Sequence, residues 1–288
     1  MKKLFCLCLG LLLLTGCGQK TLENTQENTQ ETTTVTAPAE EPSPSGTYLL
    51  LEQTHYDKDD HISVRMNATY DDQLRPTSVF LDSGADITYT PEYDENGMIT
   101  GFSVSRLLYG EETLSHVALN EYGDIVQQTT DENTTDVVCS YDSGGRMIKK
   151  ETSVNGNLSY VKTWSYDCWG NTAQMSNTYA NGSYTLIYDN TYENHLLTAI
   201  HCKYENGDTE HTERFTYNEA GQLTCWEQVH LEETFSTVYT YNDAGLLAEK
   251  KTYVGEVFTG RTTYTWTEAP VELTAAQCNA LKQLGLLL

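Results

Sequence analysis

The chain has 288 residues, and its 41 Asp and Glu against 17 Lys and Arg give a formal net charge of −24. This excess of negative charge repels phosphate groups, so it excludes nucleic acid and anionic lipid headgroups as partners bound through bulk electrostatics. It is typical of a protein that stays soluble outside the cell.

The first residues form a targeting pattern. Lys2 and Lys3 precede an apolar run over residues 4–14, which is too short to cross a bilayer as a helix. The run ends in Leu14-Thr15-Gly16-Cys17, which resembles the lipobox of bacterial lipoprotein signal peptides. The resemblance implies that residues 1–16 are a signal peptide and that Cys17 is the lipidation site, which holds the protein at the extracytoplasmic face of the cell membrane. An ordinary secretory signal, with Cys17 present by chance, is the alternative.

Residues 17–46 are expected to be a disordered tether that begins at the lipidated cysteine. The segment has almost no large apolar side chains, repeats Glu23-Asn24-Thr25-Gln26 at residues 27–30, and continues into threonines and prolines. Such a segment cannot bury enough surface to fold. About 240 residues remain for one elongated β domain or two small ones. The first of these, residues 47–92, contain strand-like runs without a clear repeat and are predicted to be an irregular β cap.

Residues 93–270 are predicted to be a series of β-hairpins of about 24 residues each. The repeated unit is clearest in Tyr241-Asn242-Asp243-Ala244-Gly245-Leu246-Leu247. Asn or Asp at the first turn position accepts backbone hydrogen bonds, and Gly three residues later supplies the left-handed conformation that closes the turn. The expected turn residues are Gly97, Gly123, Gly145, Gly170, Asn194, Gly221 and Gly245. A second turn signal, such as Asn155-Gly156 or Asn181-Gly182, lies midway between copies.

The strand before each tip alternates large side chains with Ser or Thr, as in Phe215 and Tyr217 around Thr216. A period of two puts the large side chains on one face and the polar ones on the other. The rings are expected to stack into a buried ladder that includes Tyr166, Tyr188, Tyr217 and Tyr241. Binding would then use the polar face or the tips, which suit hydroxyl-rich or cationic ligands. An exposed sugar-binding platform is the alternative use of this aromatic row.

The repeat ends at Trp266-Thr267-Glu268-Ala269-Pro270, where Pro replaces the turn glycine and cannot adopt a positive φ. Thr274 and Gln277 then form the pattern of a capping box. Leucines 273, 281 and 284 follow with near-helical spacing. Residues 271–288 are therefore expected to be a short amphipathic helix that caps the last hairpin.

The Tyr-Asp tips, the glycine spacing and the leucine after the turn resemble the YD-repeat, or Rhs-type, family of bacterial surface proteins over residues 93–247. The resemblance implies a spiral of β-hairpins, which in that family forms shells around toxins or binds carbohydrate at cell surfaces. The expected fold is an all-β, elongated meander or spiral of stacked hairpins. The expected function is non-enzymatic binding or scaffolding by a lipid-anchored surface protein, with a glycan or protein partner and no cofactor.

One stretch offers an enzymatic alternative. Val79-Phe80-Leu81-Asp82-Ser83-Gly84-Ala85-Asp86-Ile87-Thr88 resembles the active-site motif of retropepsin-type aspartic proteases. In such a site two Asp residues from two copies share a proton and activate a water molecule. The resemblance makes Asp82 the catalytic candidate of a dimeric protease. The same residues are also typical of a plain hairpin turn.

No metal site is expected from the sequence. Asp57, Asp59, Asp60 and His61 suggest a cation loop, but the glycine and distal glutamate of an EF-hand are missing, so a solvated turn is favoured. Beyond the lipid site the cysteines are Cys139, Cys168, Cys202, Cys225 and Cys278. They contain no Cys-x-x-Cys pair, and their odd number predicts at least one free thiol. The seven histidines are scattered at His55, His61, His116, His195, His201, His211 and His230.

Overall fold

The computed structural model describes residues 47–73, 75–180, 184–231, 233–269 and 273–287. The signal peptide, Cys17, the tether, the Asn181-Gly182 turn and Pro270 lie outside the described residues and stay predictions. Within these ranges, no helix is long and apolar enough to span a membrane.

The described residues form eighteen β-strands and one α-helix. The elements are β1 (Thr47–Asp57), β2 (Ile62–Tyr70), β3 (Pro76–Asp82), β4 (Asp86–Tyr93), β5 (Ile99–Leu108), β6 (Glu111–Leu119), β7 (Ile125–Thr130), β8 (Thr134–Tyr141), β9 (Met147–Val154), β10 (Asn157–Tyr166), β11 (Thr172–Tyr179), β12 (Thr185–Glu193), β13 (Leu196–Tyr204), β14 (Thr209–Tyr217), β15 (Leu223–His230), β16 (Glu233–Tyr241), β17 (Leu247–Val254), β18 (Val257–Ala269) and α1 (Ala275–Gln283).

The strands form a single sheet that closes on itself. Each strand pairs antiparallel with the next one along the chain, and β1 also pairs antiparallel with β18, from Thr47 opposite Ala269 to Asp57 opposite Gly260. The protein is therefore an all-β closed barrel of eighteen strands with one short helix. The open, elongated spiral of stacked hairpins expected from the sequence is wrong.

The repeat does not encode this closure. A hairpin repeat specifies which strands are neighbours, whereas the meeting of the first and last strands depends on accumulated twist and on bulges. Pairing β1 with β18 removes both unpaired edges of the sheet, which an open form would expose to water and to other chains. The closing strand β1 comes from residues 47–92, whose strands β1 to β4 continue the same sheet.

The turns lie at two ends of the barrel. Because neighbouring strands are antiparallel, all turns after even-numbered strands lie at one end, here called the tip end, and the others lie at the far end. At one tip, Asn242 Oδ1 accepts hydrogen bonds from the N–H groups of Ala244 at 3.0 Å and Leu246 at 2.9 Å. The tip glycines Gly97, Gly145, Gly170, Gly221 and Gly245 have φ values of 78°, 77°, 87°, 75° and 75°.

Neighbouring tips are connected by a repeated side-chain hydrogen bond. The tyrosine that ends an even-numbered strand donates its hydroxyl to a backbone carbonyl near the start of the preceding strand, as Tyr241 does to Leu223 at 2.8 Å. The other donors are Tyr70 to Leu50, Tyr93 to Pro76, Tyr166 to Met147, Tyr192 to Thr172, Tyr217 to Leu197 and Trp266 Nε1 to Leu247. We call this set of hydrogen bonds the tip hydrogen-bond series. It is interrupted at β6, which ends in Leu119, and at β8, where Tyr141 donates to the Asp124 carboxylate at 2.7 Å.

The helix docks where the tip hydrogen-bond series is interrupted. Its capping box is formed, with Thr274 and Gln277 side chains each accepting the other's backbone N–H. Asn279 Nδ2 donates to the carbonyl of Tyr122 at 3.0 Å and to Asp124 Oδ1 at 3.2 Å. The chain after α1 then reaches β1, where the Leu50 N–H donates to the Leu286 carbonyl at 3.1 Å. The helix is thus not confined to the last hairpin.

The two faces of the barrel wall differ. One face holds two apolar clusters, the larger of which packs α1 and Leu286 against β1 to β7, β17 and β18. An apolar cluster that joins residues of so many consecutive strands of a closed sheet lies inside the barrel, so this is the inner face. The outer face carries polar cross-strand pairs such as Thr163 with Ser176 at 2.7 Å and Gln174 with Asp189 at 2.7 Å.

Candidate functional site

An aromatic surface lies on the inner face near the far end, across β10 to β13. Tyr160 and Tyr179 are paired across β10 and β11, with ring centroids 6.3 Å apart. Tyr184 continues the row, 4.9 Å from Tyr179 and 5.9 Å from Tyr204. We call these four residues the tyrosine patch. Tyr184 and Tyr204 are 44% and 36% exposed, so solvent and ligands can reach the rings.

Two buried polar atoms without a hydrogen-bond partner in the described structure lie beside the patch. They are Asn177 Oδ1 and Thr152 Oγ1, and the two residues are only 8% and 5% exposed. Thr152 is opposite Tyr160 in the sheet, and the Asn177 amide donates to the Tyr179 hydroxyl at 3.2 Å. An unpaired buried acceptor costs free energy, and native proteins keep few of them. Both atoms are enclosed by the protein, so a ligand on the patch cannot reach them directly.

A positive charge lies in the same area. Lys162 is opposite Asn177 on the inner face, and its Nζ atom is 5.8 Å from the centre of the Tyr160 ring. The tyrosine patch thus presents aromatic rings next to one ammonium group. This combination suits a hydroxyl-rich ligand with an acidic or neutral character better than an apolar one.

A second group of side chains lies next to the patch on β13 to β15. This group, called here the His211 cluster, consists of Cys202, Glu210, His211, Glu213 and His230. His211 is opposite Cys202 in the β13–β14 pair, and Glu213 is two residues further along the strand, so all three share the inner face. Cys202 is fully buried, and Glu213 and His211 are 6% and 8% exposed.

The imidazole of His211 is held between two carboxylates. Its Nδ1 atom contacts Glu210 Oε2, and its Nε2 atom is 3.2 Å from Glu213 Oε1. Glu213 also accepts a hydrogen bond of 2.7 Å from the indole N–H of Trp226. Across the strand pair, His230 Nε2 is 2.9 Å from Glu210 Oε1.

The cluster is electrostatically coupled. Burial acts to lower the pKa of His211, but hydrogen bonds with Cys202, Glu213 and Glu210 outweigh it and raise the pKa to about 10. Burial acts to raise the pKa of Glu210, but His211 and His230 outweigh it and hold that pKa below its usual range. The cluster therefore holds an imidazolium ion between carboxylates at neutral pH.

Tyr188 connects the cluster to the patch. Its ring centroid is 6.2 Å from that of His211, and it is opposite Cys202 in the sheet. Burial raises the pKa of its hydroxyl. The patch and the cluster are thus neighbouring parts of one inner surface.

The structure places the sequence-predicted candidates elsewhere. Asp82 is exposed at the far end of the β3–β4 hairpin, opposite Asp86, and Gly84 between them has a φ of 83°. A second Asp-Ser-Gly triplet begins at Asp142, whose Oδ1 accepts the Gly144 and Arg146 N–H groups in a tip turn. Both triplets therefore occupy turns in this chain.

The acidic loop after β1 is also a turn. Asp57 Oδ1 accepts the backbone N–H groups of Asp59 at 2.8 Å and His61 at 3.0 Å. The hydrogen bonds from His61 and then Asp59 lower the pKa of the Asp57 carboxyl. Asp60 meanwhile pairs with Arg261 at 3.1 Å. The carboxylates of this loop are thus engaged in local structure.

Sequence reasoning missed the His211 cluster. The histidines show no helical spacing, so their positions alone predict no site, but paired strands bring residues together through register and alternation. The Asn206-Gly207 turn pairs Lys203 with Thr209, and a bulge then shifts the register so that His211 lies opposite Cys202. Alternation adds Glu213 to their face. Four thiols, Cys139, Cys168, Cys202 and Cys225, are free, and among them Cys202 alone is fully buried.

Comparison with known proteins identifies no family: no family model matches the chain, and no curated protein matches it. Among solved structures, it is similar to a porin-like protein from Bacteroides uniformis, with 13% identity and a TM-score of 0.42 over 80% of this chain and 100% of that one. It is also similar to the TcdB2-TccC3 structure, with 11% identity and a TM-score of 0.34 over 78% of this chain. In the latter case the match spans 16% of the other chain.

Proposed function

We propose that the protein is a non-enzymatic, lipid-anchored cell-surface protein that binds carbohydrate at the tyrosine patch. The observation that carries the proposal is the row of four tyrosine rings, two of them more than a third exposed, beside the ammonium group of Lys162. Aromatic rings bury the apolar face of a ligand, and a few convergent polar groups then fix its orientation. Sugars present both kinds of surface, since C–H groups line the ring faces and hydroxyls surround the ring edge.

The outer face supports a barrel wall that stands in water. A barrel that spans a membrane needs an outward-facing apolar band about 25 Å tall. Here the outer face carries cross-strand polar contacts, including His116 with Glu92 at 3.0 Å and Gln127 with Asp136 at 2.8 Å. The exposed apolar residues Leu114, Val138 and Val238 on this face lie opposite the polar residues Ser105, Glu151 and Lys251. Attachment to the membrane is therefore assigned to the N-terminal lipid.

Replacing Cys17 by Ala is expected to abolish membrane retention. The substitution removes the thiol that the lipobox pattern marks for acylation, and the remaining chain has no other proposed anchor. Detergent-phase partitioning of the wild-type protein and the variant measures the effect. Equal partitioning of both proteins into the aqueous phase would sink the anchoring proposal.

The binding proposal is tested with the full-length protein on a glycan array, followed by titration of the glycan that binds best. Tyr184→Ala is expected to weaken binding at least about tenfold, equal to about 1.4 kcal/mol, because it removes a central ring of the patch. Its thermal melt should stay close to that of the wild type, since the side chain is 44% exposed.

Tyr109→Ala is the matched control. Tyr109 is 97% exposed, lies in the far-end turn between β5 and β6, and is not part of the patch. Its replacement should leave glycan affinity unchanged. If the two variants lose affinity equally, the sugar does not bind at the tyrosine patch, and if no glycan binds the wild type, the proposed ligand class is wrong.

A further inference from the structure

We propose that Cys202, Glu210 and His211 form a binding site for a single zinc-type transition-metal ion. One ligand atom from each residue, the thiol sulfur, a carboxylate oxygen and an imidazole nitrogen, lies within 4.8 Å of the other two. In tetrahedral zinc sites each ligand atom lies about 2.0–2.3 Å from the ion, so the ligand atoms lie about 3–4 Å from one another. Small side-chain rotations therefore suffice to bring all three onto one ion.

The surroundings of His211 resemble the outer shell of a metal-bound histidine. Metal-binding histidines donate their second ring nitrogen to a carboxylate, which fixes the orientation of the ring. Here Nε2 faces Glu213 at 3.2 Å, and Glu213 is itself held by Trp226 at 2.7 Å. This leaves Nδ1 directed toward Glu210, on the side of the proposed ion. Because Nδ1 contacts Glu210 directly, the ion would replace that contact while Glu213 continues to orient the ring.

The donor set selects the class of metal. A thiolate, an imidazole and a carboxylate suit Zn²⁺ and Co²⁺, whereas Ca²⁺ and Mg²⁺ prefer oxygen donors alone. The thiolate and carboxylate together balance the double positive charge of the ion. A metal ion binds the deprotonated forms of such ligands, so binding releases protons into solvent. His230, held 2.9 Å from Glu210, offers a further nitrogen donor for the fourth position.

The other group with metal-ligand chemistry is weaker on the same criteria. Asp57, Asp59 and His61 also bring ligand atoms within 4.8 Å of one another, but they lie in a solvent-exposed turn. Asp57 Oδ1 already accepts two backbone hydrogen bonds there. The His211 cluster differs because it is buried and because its histidine has a carboxylate partner of its own.

The test is Co²⁺ titration of the full-length protein, since a cobalt–thiolate bond gives a charge-transfer absorption band. We expect one equivalent of Co²⁺ to bind with this band and Zn²⁺ to displace it. Cys202→Ser should abolish the band and weaken Zn²⁺ binding at least about a hundredfold in competition with a chelator. Glu213→Gln should weaken binding by about 10–100-fold while the band remains, because it removes an outer-shell partner.

Two conservative substitutions near the His211 cluster serve as controls. Cys225→Ser changes a thiol on β15 that pairs with Thr216 on the outer face, and His201→Asn changes the outer-face neighbour of Cys202. Both should bind Co²⁺ as the wild type does. If Cys202→Ser fails to fold, the wild-type protein still gives a decision, because added Zn²⁺ should raise its melting temperature.

The proposal is overturned if the wild type gives no charge-transfer band and no Zn²⁺-dependent rise in melting temperature. It is equally overturned if Cys202→Ser keeps the band or if Cys225→Ser loses it. No glycan enters these measurements. Failure of the metal site and failure of carbohydrate binding at the tyrosine patch are thus separate results.

Discussion

Replacing Tyr217 by Ala is expected to destabilise the barrel by about 3 kcal/mol, the lower end of the cost of truncating a buried aromatic residue. The ring packs against Ile200, Phe215 and Leu223 in the smaller apolar cluster. Its hydroxyl donates to the Leu197 carbonyl at 2.8 Å, which connects one tip to its neighbour. The side chain is only half-buried, so the lower end of the range applies. The thermal melt should fall by about 6–12 °C for a domain of this size.

Tyr217→Phe separates the two contributions. This substitution keeps the ring and removes only the hydroxyl, so it should cost about 1 kcal/mol, the net value of one hydrogen bond. Tyr109→Ala, at an exposed position, should leave the melt unchanged. A melting temperature of Tyr217→Ala that matches the wild type would mean that the tip hydrogen-bond series does not stabilise the closed barrel.

Tyr217→Ala also separates an effect on stability from an effect on glycan binding. Tyr217 belongs to the tip end, whereas the tyrosine patch lies at the far end on β10 to β13. Tyr217→Ala should therefore leave glycan affinity unchanged under conditions in which the variant is folded. Tyr217 is thus engaged through packing and its hydroxyl bond, whereas Tyr184 and Tyr204 of the patch are more exposed.

The hairpins could be predicted from sequence because their determinants are local. The Tyr-Asn-Asp-Ala-Gly unit at 241–245 contains the acceptor and the glycine of its own turn, and the capping box at Thr274 needs residues only three apart. Closure could not be predicted in this way. It depends on the pairing of Thr47–Asp57 with the last strand, more than two hundred residues away, and no local signal specifies that contact.

The candidate site depended on both kinds of information. The Asn206-Gly207 turn predicts which residues of β13 and β14 face each other, but a bulge between Cys202 and Lys203 shifts the register beside it. The tyrosine patch needs rings from three strands and from the residue before β12, whose exposure follows from the shape of the closed sheet. Composition and the two-residue period thus predict which face of a strand is aromatic. Which of these aromatic rings are buried and which are exposed follows only from the closed sheet.

Replacing Gly123 by Val is expected to release α1 from the barrel. Gly123 has a φ of 77°, and a Cβ atom there would lie 2.3 Å from the Ala276 carbonyl oxygen and 2.8 Å from the Ala280 nitrogen. These are backbone atoms of the helix or its immediate turn, so they cannot rotate away as a side chain could. The variant combines backbone strain of about 1–3 kcal/mol with overpacking of about 1–3 kcal/mol.

Gly221→Val is the matched control for that substitution. Gly221 has a φ of 75° in an equivalent tip turn, but an added Cβ atom there would meet nothing within 4 Å. The two variants should therefore share the strain cost, and the additional loss in Gly123→Val measures the contact with the helix. Hydrogen exchange should show faster exchange of the α1 amides in Gly123→Val alone. Equal melts and equal exchange in the two variants would contradict this docking, because the close approach of Ala276 to the β6–β7 tip would then have no energetic consequence.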